Sequence, residues 1–254
     1  MDPDAYAQHA AVEDTHWWFR GRRAIASSVI AGLELPRPAR VVELGSGTGG
    51  NLPMLEALGD AVAIEPDEGA RELSRRRHPR TRHVATIDAL EGPAFDAAFA
   101  FDVLEHIDDP ASALRKLHAW LAPGAPLVVT VPAHPWMFGA HDAYLHHLRR
   151  YTRRKLAQHL EDGRFVVEQL TPINAALFPA AVAARGLELV RGLVGPRRPP
   201  APRGMTEPPR LLNELLARVF GAERRVLRVL PTGLSLLAVA RATTLGPAGA
   251  EVRA

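Results

Sequence analysis

Apolar residues come in short runs separated by polar stretches of helical period, and this alternation sets the architecture. The runs at 39–44, 61–65, 82–87, 95–101, 127–131 and 165–170 are dominated by Val, Ile, Ala, Leu and Phe and are short enough for strands. Polar helical stretches follow several of them, at 52–58, 68–77, 110–121 and 152–161. Pro110 sits in the first turn of the third helix and Pro123-Gly124 ends it. Thr152 is placed to cap the fourth. Leu127 to Val131 is an almost unbroken apolar run, as expected of a strand covered on both faces. Strand and helix alternate throughout, which predicts a doubly wound, parallel α/β sheet.

The flanks differ. Residues 5–33 read as helical, with apolar positions Val12, Ile25, Val29 and Ile30, and they contain Trp17-Trp18-Phe19-Arg20. Three consecutive aromatics on a helix cannot all face one core, so part of this stretch covers something else. Pro172 to Val194 is an Ala/Leu-rich helix, and 195–209 is a Pro/Arg-rich loop. A further helix carries Leu212, Leu215, Leu216, Val219, Val226, Leu227 and Leu230, expected on its packing side. Leu234 to Ala240 is a last strand, and the tail from Gly246 is expected to be loose.

Composition narrows the class. The chain has 254 residues, 47% of them hydrophobic, and no cysteine, which excludes disulfides and thiolate metal sites. The start is acidic, unlike a signal peptide, and no run of about 18 apolar residues predicts a membrane span, so a cytoplasmic protein is expected. Arginine clusters at 71–82, 149–154, 197–210 and 224–228 suit either an anionic partner or solvated helix faces. Interspersed acids and the lack of a nucleic-acid motif favour solvated faces, and no nucleic-acid partner is expected.

The chemistry gathers at Val41-Val42-Glu43-Leu44-Gly45-Ser46-Gly47-Thr48-Gly49-Gly50-Asn51. A strand, a glycine turn and a helix N-terminus form a seat for a nucleotide-like ligand at the C-terminal edge of a parallel sheet. Two ligands compete. Gly45-x-Gly47-x-x-Gly50, with Glu65 twenty residues after Gly45, fits the dinucleotide fingerprint, and Tyr151-x-x-x-Lys155 has the acid–base spacing of short-chain dehydrogenases. Against a nicotinamide cofactor stand Glu43 two residues before the first glycine, the alternative spacing Glu-x-Gly-x-Gly-x-Gly, and Asp102-Val103-Leu104-Glu105-His106 after the fourth strand.

In these residues the chain resembles class I S-adenosylmethionine-dependent methyltransferases of the bacterial small-molecule type, over about residues 10–170 and the last strand. The resemblance implies a Rossmann-like seven-stranded sheet whose antiparallel last strand lies between the fifth and sixth. It implies an N-terminal helical cap at 1–38, a core at 39–171 and 233–245, and a helical insertion at 172–232. It implies S-adenosylmethionine as cofactor, with S-adenosylhomocysteine as product, and methyl transfer to O or N of a small-molecule, peptide-borne or lipid-borne acceptor. The cofactor residues it implies are Glu43, Gly45, Gly47, Gly49, Asn51, Glu65, Pro66, Asp88, Ala89, Asp102, Val103 and Leu104. Glu65 is expected on the ribose hydroxyls and Asp88 on the adenine amine. Trp17, Trp18, Phe19, Arg20 and Trp136 are expected as lid or substrate wall, with an arginine facing a carboxylate. His106, His141, His147 and Tyr151 are the catalytic candidates, His146 a further one, and no metal is expected. A cofactor-binding module without catalysis is the alternative, with an oxidoreductase behind it.

The insertion is longer than the minimal fold needs. It is expected to cap the substrate site, to pair across a homodimer, or to touch an anionic membrane surface through Arg197, Arg198, Arg203, Arg210, Arg224, Arg225 and Arg228.

Overall fold

The computed structural model describes residues 3–194 and 207–244, with side chains from Tyr6 to Leu187 and across 207–244. The middle of the Pro/Arg loop, with Arg197, Arg198 and Arg203, and the tail from Gly246 lie outside the described residues.

Seven strands form one sheet in the order β3-β2-β1-β4-β5-β7-β6. They are β1 (Ala39–Leu44), β2 (Gly59–Ile64), β3 (Arg82–Val84), β4 (Ala97–Phe101), β5 (Pro126–Pro132), β6 (Phe165–Ile173) and β7 (Ser235–Ala242). Pairing is parallel from β3 across to β5. β7 runs antiparallel between β5 and β6, where the resemblance places it. Every residue of β4 and β5 is buried, which accounts for their lack of polar alternation.

The helices are α1 (Pro3–Val12), α2 (Trp17–Ala31), α3 (Leu52–Glu56), α4 (Glu68–Arg77), α5 (Pro110–His118), α6 (Ala140–Tyr144), α7 (Arg153–Asp162), α8 (Phe178–Val194) and α9 (Arg210–Ala222). Three begin on side-chain caps legible in the sequence: Asp67 accepts from the Ala70 amide at 2.9 Å, Asp109 from Ser112 at 3.0 Å and Thr152 from Lys155 at 3.1 Å. The single helix expected over 5–33 is two, because the chain turns at residues 13–16 and His16 caps α2. β6 extends to Ile173, so the helix expected from Pro172 begins only at Phe178.

The apolar face of α9 is not the one expected. Its buried residues are Asn213, Ala217, Phe220 and Gly221, whereas Leu211 is 86% and Leu215 57% exposed. Leu212, Val219 and Val226 are exposed too; of the expected stripe only Leu227 is buried. The packing partner explains this. α9 lies on α2 with Phe220 over Gly21, where even a Cβ would come 2.3 Å from the ring. Asn213 accepts from the Trp17 amide at 2.8 Å and donates to the Thr15 carbonyl at 2.9 Å, so it closes the N-terminus of α2 from outside. One small residue, one amide and one ring therefore set the contact, and the leucines face outward.

Two substitutions separate the two faces in chemical denaturation. Phe220→Ala is expected to cost about 3–5 kcal/mol, as for other buried aromatics. Leu215→Ser is expected to change stability by no more than about 0.5 kcal/mol, as for exposed positions.

Candidate active site

β1, β2 and β4 end together, and their C-terminal turns open into a cavity of about 780 Å³. α1 and α2 close it from one side, and the segment after β5 together with Asn174 and Ala181 closes it from the other.

One end is the glycine turn. Gly45 and Gly47 have φ of +71° and +52°, which only glycine adopts without strain. A Cβ on Gly47 would meet nothing within 4 Å, so the turn presents bare backbone to open space. Glu65 fixes the turn: its carboxylate accepts from the amides of Gly47 and Asp67, both at 2.9 Å. Burial raises the pKa of Glu65 against these two hydrogen bonds. Each oxygen keeps a lone pair for a further donor. Tyr6 of α1 lines the cavity near Glu65 and Pro66, and its phenol is pushed up by burial and then by Glu65 and Asp67.

Behind the turn runs a buried polar chain. Glu43 accepts from Asn51 at 2.8 Å, and Asn51 accepts from Arg22 at 3.0 Å. Arg22 reaches on to Asp102, which also accepts from Thr130 at 3.0 Å. Asp102 stands at φ +53° at the end of β4, a strained position held by these two partners. The Arg22 guanidinium lies 4.8 Å over the Trp18 ring and lines the cavity.

At the other end, Glu105 and His106 follow Val103, and His141, Leu145, His147 and Arg150 come from the segment after β5. Asp142 organises that segment. It accepts from His147 Nδ1 and Arg150 Nε, both at 2.8 Å, and from the Gly139 amide at 2.9 Å. Burial opposes ionisation of Asp142, but these bonds hold it at about 2. Burial, followed by His147, lowers His106 to about 4. Asn174, at φ +60°, lines the cavity with both amide atoms buried and unpartnered.

A methyltransferase-domain family matches residues 17–191. The chain belongs to that family. Methyltransferase relatives include the trans-aconitate 2-methyltransferase of Methylobacterium nodulans, 35% identical over 42% of this chain and 43% of that one. The ubiquinone biosynthesis O-methyltransferase of Methylocella silvestris is 37% identical over 35% of this chain and 39% of its own. The chain thus spans about two fifths of the length of these curated relatives. The phosphoethanolamine N-methyltransferase 2 of Haemonchus contortus, solved with S-adenosyl-L-methionine, shares the fold at a TM-score of 0.55 and 12% identity, over 87% of this chain and 52% of that one.

Within this methyltransferase domain the expected residues divide. Gly45, Gly47, Asn51, Glu65, Pro66, Asp102 and Val103 line the cavity, as do Trp17, Trp18, Phe19, His106, His141 and His147. Others do not. Gly49 backs onto α4, where a Cβ would come 2.6 Å from Ser74. Glu43 is wholly buried behind Asn51, and Leu104 lies in the hydrophobic core. Asp88 has a side chain 70% exposed and pairs with Lys116 of α5 at 2.8 Å; neither it nor Ala89 lines the cavity. Trp136 is 56% exposed and packs on Phe178, outside the cavity. Tyr151 is fully buried and donates to the Leu104 carbonyl at 3.1 Å, which makes it a structural group, and Lys155 stays outside the cavity. His146 does not line it either. Arg20 turns away to pair with Glu214 of α9; the arginine in the cavity is Arg22. Arg22, Glu105, Arg150 and Asn174 were not among the expected site residues.

Burial pushes Glu43 up to about 7, against the hydrogen bond from Asn51. The unfolded chain therefore sheds this proton at lower pH than the native one, and native stability falls as pH rises from about 4.5 through 7. Each tenfold difference in proton affinity between the two states is worth about 1.4 kcal/mol, so the loss is on the order of 3 kcal/mol. Glu43→Gln keeps the shape and removes the titration. Its melting temperature is expected to drop several degrees less than the wild-type value between pH 5 and pH 8.

Proposed function

We propose that this domain transfers the sulfonium methyl group of S-adenosylmethionine to an oxygen or nitrogen of a small-molecule or carrier-bound acceptor. One observation carries the reading. A single cavity joins a bare glycine turn with its strand-end acid to a histidine- and carboxylate-lined end, and the two meet at Asp102 to His106.

The residues fit the cofactor chemically. The Ser46 hydroxyl is buried at the turn without a partner. Glu65 accepts from ribose hydroxyls, since an ionised carboxylate only accepts and does so at two oxygens. Arg22 offers its guanidinium to the carboxylate of the methionine part, and the backbone of Gly45 to Thr48 lies against the rest. The rings of Trp18, Phe19 and Phe101 around Arg22 offer electron-rich faces to a sulfonium. Methyl transfer then needs the acceptor atom held in line behind the methyl group. Glu105, His106, His147 and Asn174 line the cavity at that end, which supports their holding the acceptor.

Titration calorimetry with S-adenosylmethionine or S-adenosylhomocysteine tests this. Micromolar binding is expected, weakened about 10- to 100-fold by Glu65→Ala through the loss of charged hydrogen bonds. Arg22→Lys is expected to weaken it clearly, because an ammonium does not replace a two-pronged fork. Asp88→Asn and Arg20→Lys are expected to leave it within about twofold, since both side chains are bound on the surface. A wild-type chain that binds NAD(H) and ignores S-adenosylmethionine would overturn the reading.

A further inference from the structure

We propose that Glu105, His106 and His147 form a divalent-cation site at the acceptor end of the cavity. It rests on the reading of that end as the place of the acceptor. One ligand atom from each of the three residues lies within 4.8 Å of the others. Ligands on a transition metal stand about 2.0–2.2 Å from the ion, so modest rotations of the two partly exposed rings close this set.

Four observations point to a cation rather than to a chance cluster. First, Glu105 is wholly buried, and neither carboxylate oxygen has a partner on another residue. A buried carboxyl group calls for hydrogen bonds or a metal to satisfy its oxygens. Of the two guanidiniums nearby, Arg22 bonds Asp102 and Asn51 and Arg150 bonds Asp142 and Ala133, so neither bonds Glu105. Second, His147 is oriented as metal-bound histidines are. Its Nδ1 lies 2.8 Å from an Asp142 carboxylate oxygen, so Asp142 fixes the ring and Nε2 is the nitrogen left for a ligand. Third, the His106 and His147 side chains stand side by side at this end of the cavity. The two rings meet edge to face with centroids 4.7 Å apart. Fourth, the segment bearing His147 is pinned to the one bearing Glu105. The Leu148 amide donates to the Glu105 carbonyl at 2.8 Å, and the Tyr151 hydroxyl to Leu104 at 3.1 Å. These bonds hold the two segments that carry the set against each other.

Two imidazoles and one carboxylate suit Zn²⁺, Mn²⁺, Fe²⁺ or Co²⁺ and leave coordination positions open. An acceptor oxygen taken there loses its proton to solvent more readily. The C–O bond then forms as the S–CH₃ bond breaks, and the demethylated cofactor leaves with the electron pair on sulfur.

The test uses untagged chain stripped by a chelator and titrated with Co²⁺ alone. One Co²⁺ per chain with visible d–d absorption is expected. Glu105→Gln, His106→Ala and His147→Ala are each expected to weaken binding at least tenfold. Asp142→Asn, which keeps all three ligands, is expected to weaken it about 10- to 100-fold. His141→Ala, a cavity neighbour outside the set, is expected to leave it unchanged. Melting curves identify any variant that fails to fold; Glu105→Gln, of the same shape, then decides. Absence of stoichiometric Co²⁺ binding, or binding indifferent to Glu105→Gln and His147→Ala, overturns the site. S-adenosylhomocysteine binding by the same samples separates the two proposals. A chain that binds it but not Co²⁺ lacks only the cation site, whereas one that binds Co²⁺ alone refutes the methyl-transfer reading.

Discussion

One buried guanidinium ties the two halves of the site together. Arg22 leaves α2, bonds Asn51 at the start of α3 and Asp102 at the end of β4, and through them reaches Glu43 on β1 and Thr130 on β5. Five elements converge on one chain of hydrogen bonds. Breaking a buried pair from one side leaves an uncompensated charge, at about 3–5 kcal/mol. The strained φ of Asp102 survives because this network over-determines it. α2 is therefore part of the site and not a cover laid over it: without Arg22, Asp102 keeps only the Thr130 side chain to hold its conformation.

That constraint reaches outward as well. α2 must present Arg22 and Trp18 to the cavity, which leaves Gly21 and Trp17 on the side that meets α9. Phe220 needs the space where Gly21 has no side chain, and Asn213 needs the free amide of Trp17. The phase of α9 follows from the phase of α2.

The sheet was legible because its signals are local. Short apolar runs, the capping residues Asp67, Asp109 and Thr152, and Pro123-Gly124 each act within a few residues, and the structure places all seven strands close to where the runs lie. The packing face of α9 is hidden in the sequence because hydrophobicity alone points to the other side of the helix. Its leucines form the stronger stripe, but its packing depends on a glycine and an amide nearly two hundred residues earlier. Arg20 and Arg22 raise the same difficulty. They are two positions apart on one helix, so they face different ways, and only the position of α9 decides which one meets Glu214 and which meets Asp102. Asp88 was expected from motif position, while Lys116 one helix away gives it a surface partner.

The far end of the cavity was the least legible part for a physical reason. The glycine turn uses backbone, and backbone requirements leave a mark in sequence as glycines at fixed spacing. The far end uses side chains from three separate stretches: Glu105 and His106 after β4, His141 to Arg150 after β5, and Asn174 with Ala181 after β6. None has a spacing that means anything alone. The burial of their polar atoms is what distinguishes them. Glu105 and Asn174 keep unpartnered polar groups in a closed place, each at a cost of about 1–3 kcal/mol or more if nothing bonds to it. A cavity that keeps such groups bare is matched to a ligand that satisfies them. The glycine-turn end therefore follows from glycines that many chains share, while the far end of the cavity is set by unsatisfied groups that only the folded chain brings together.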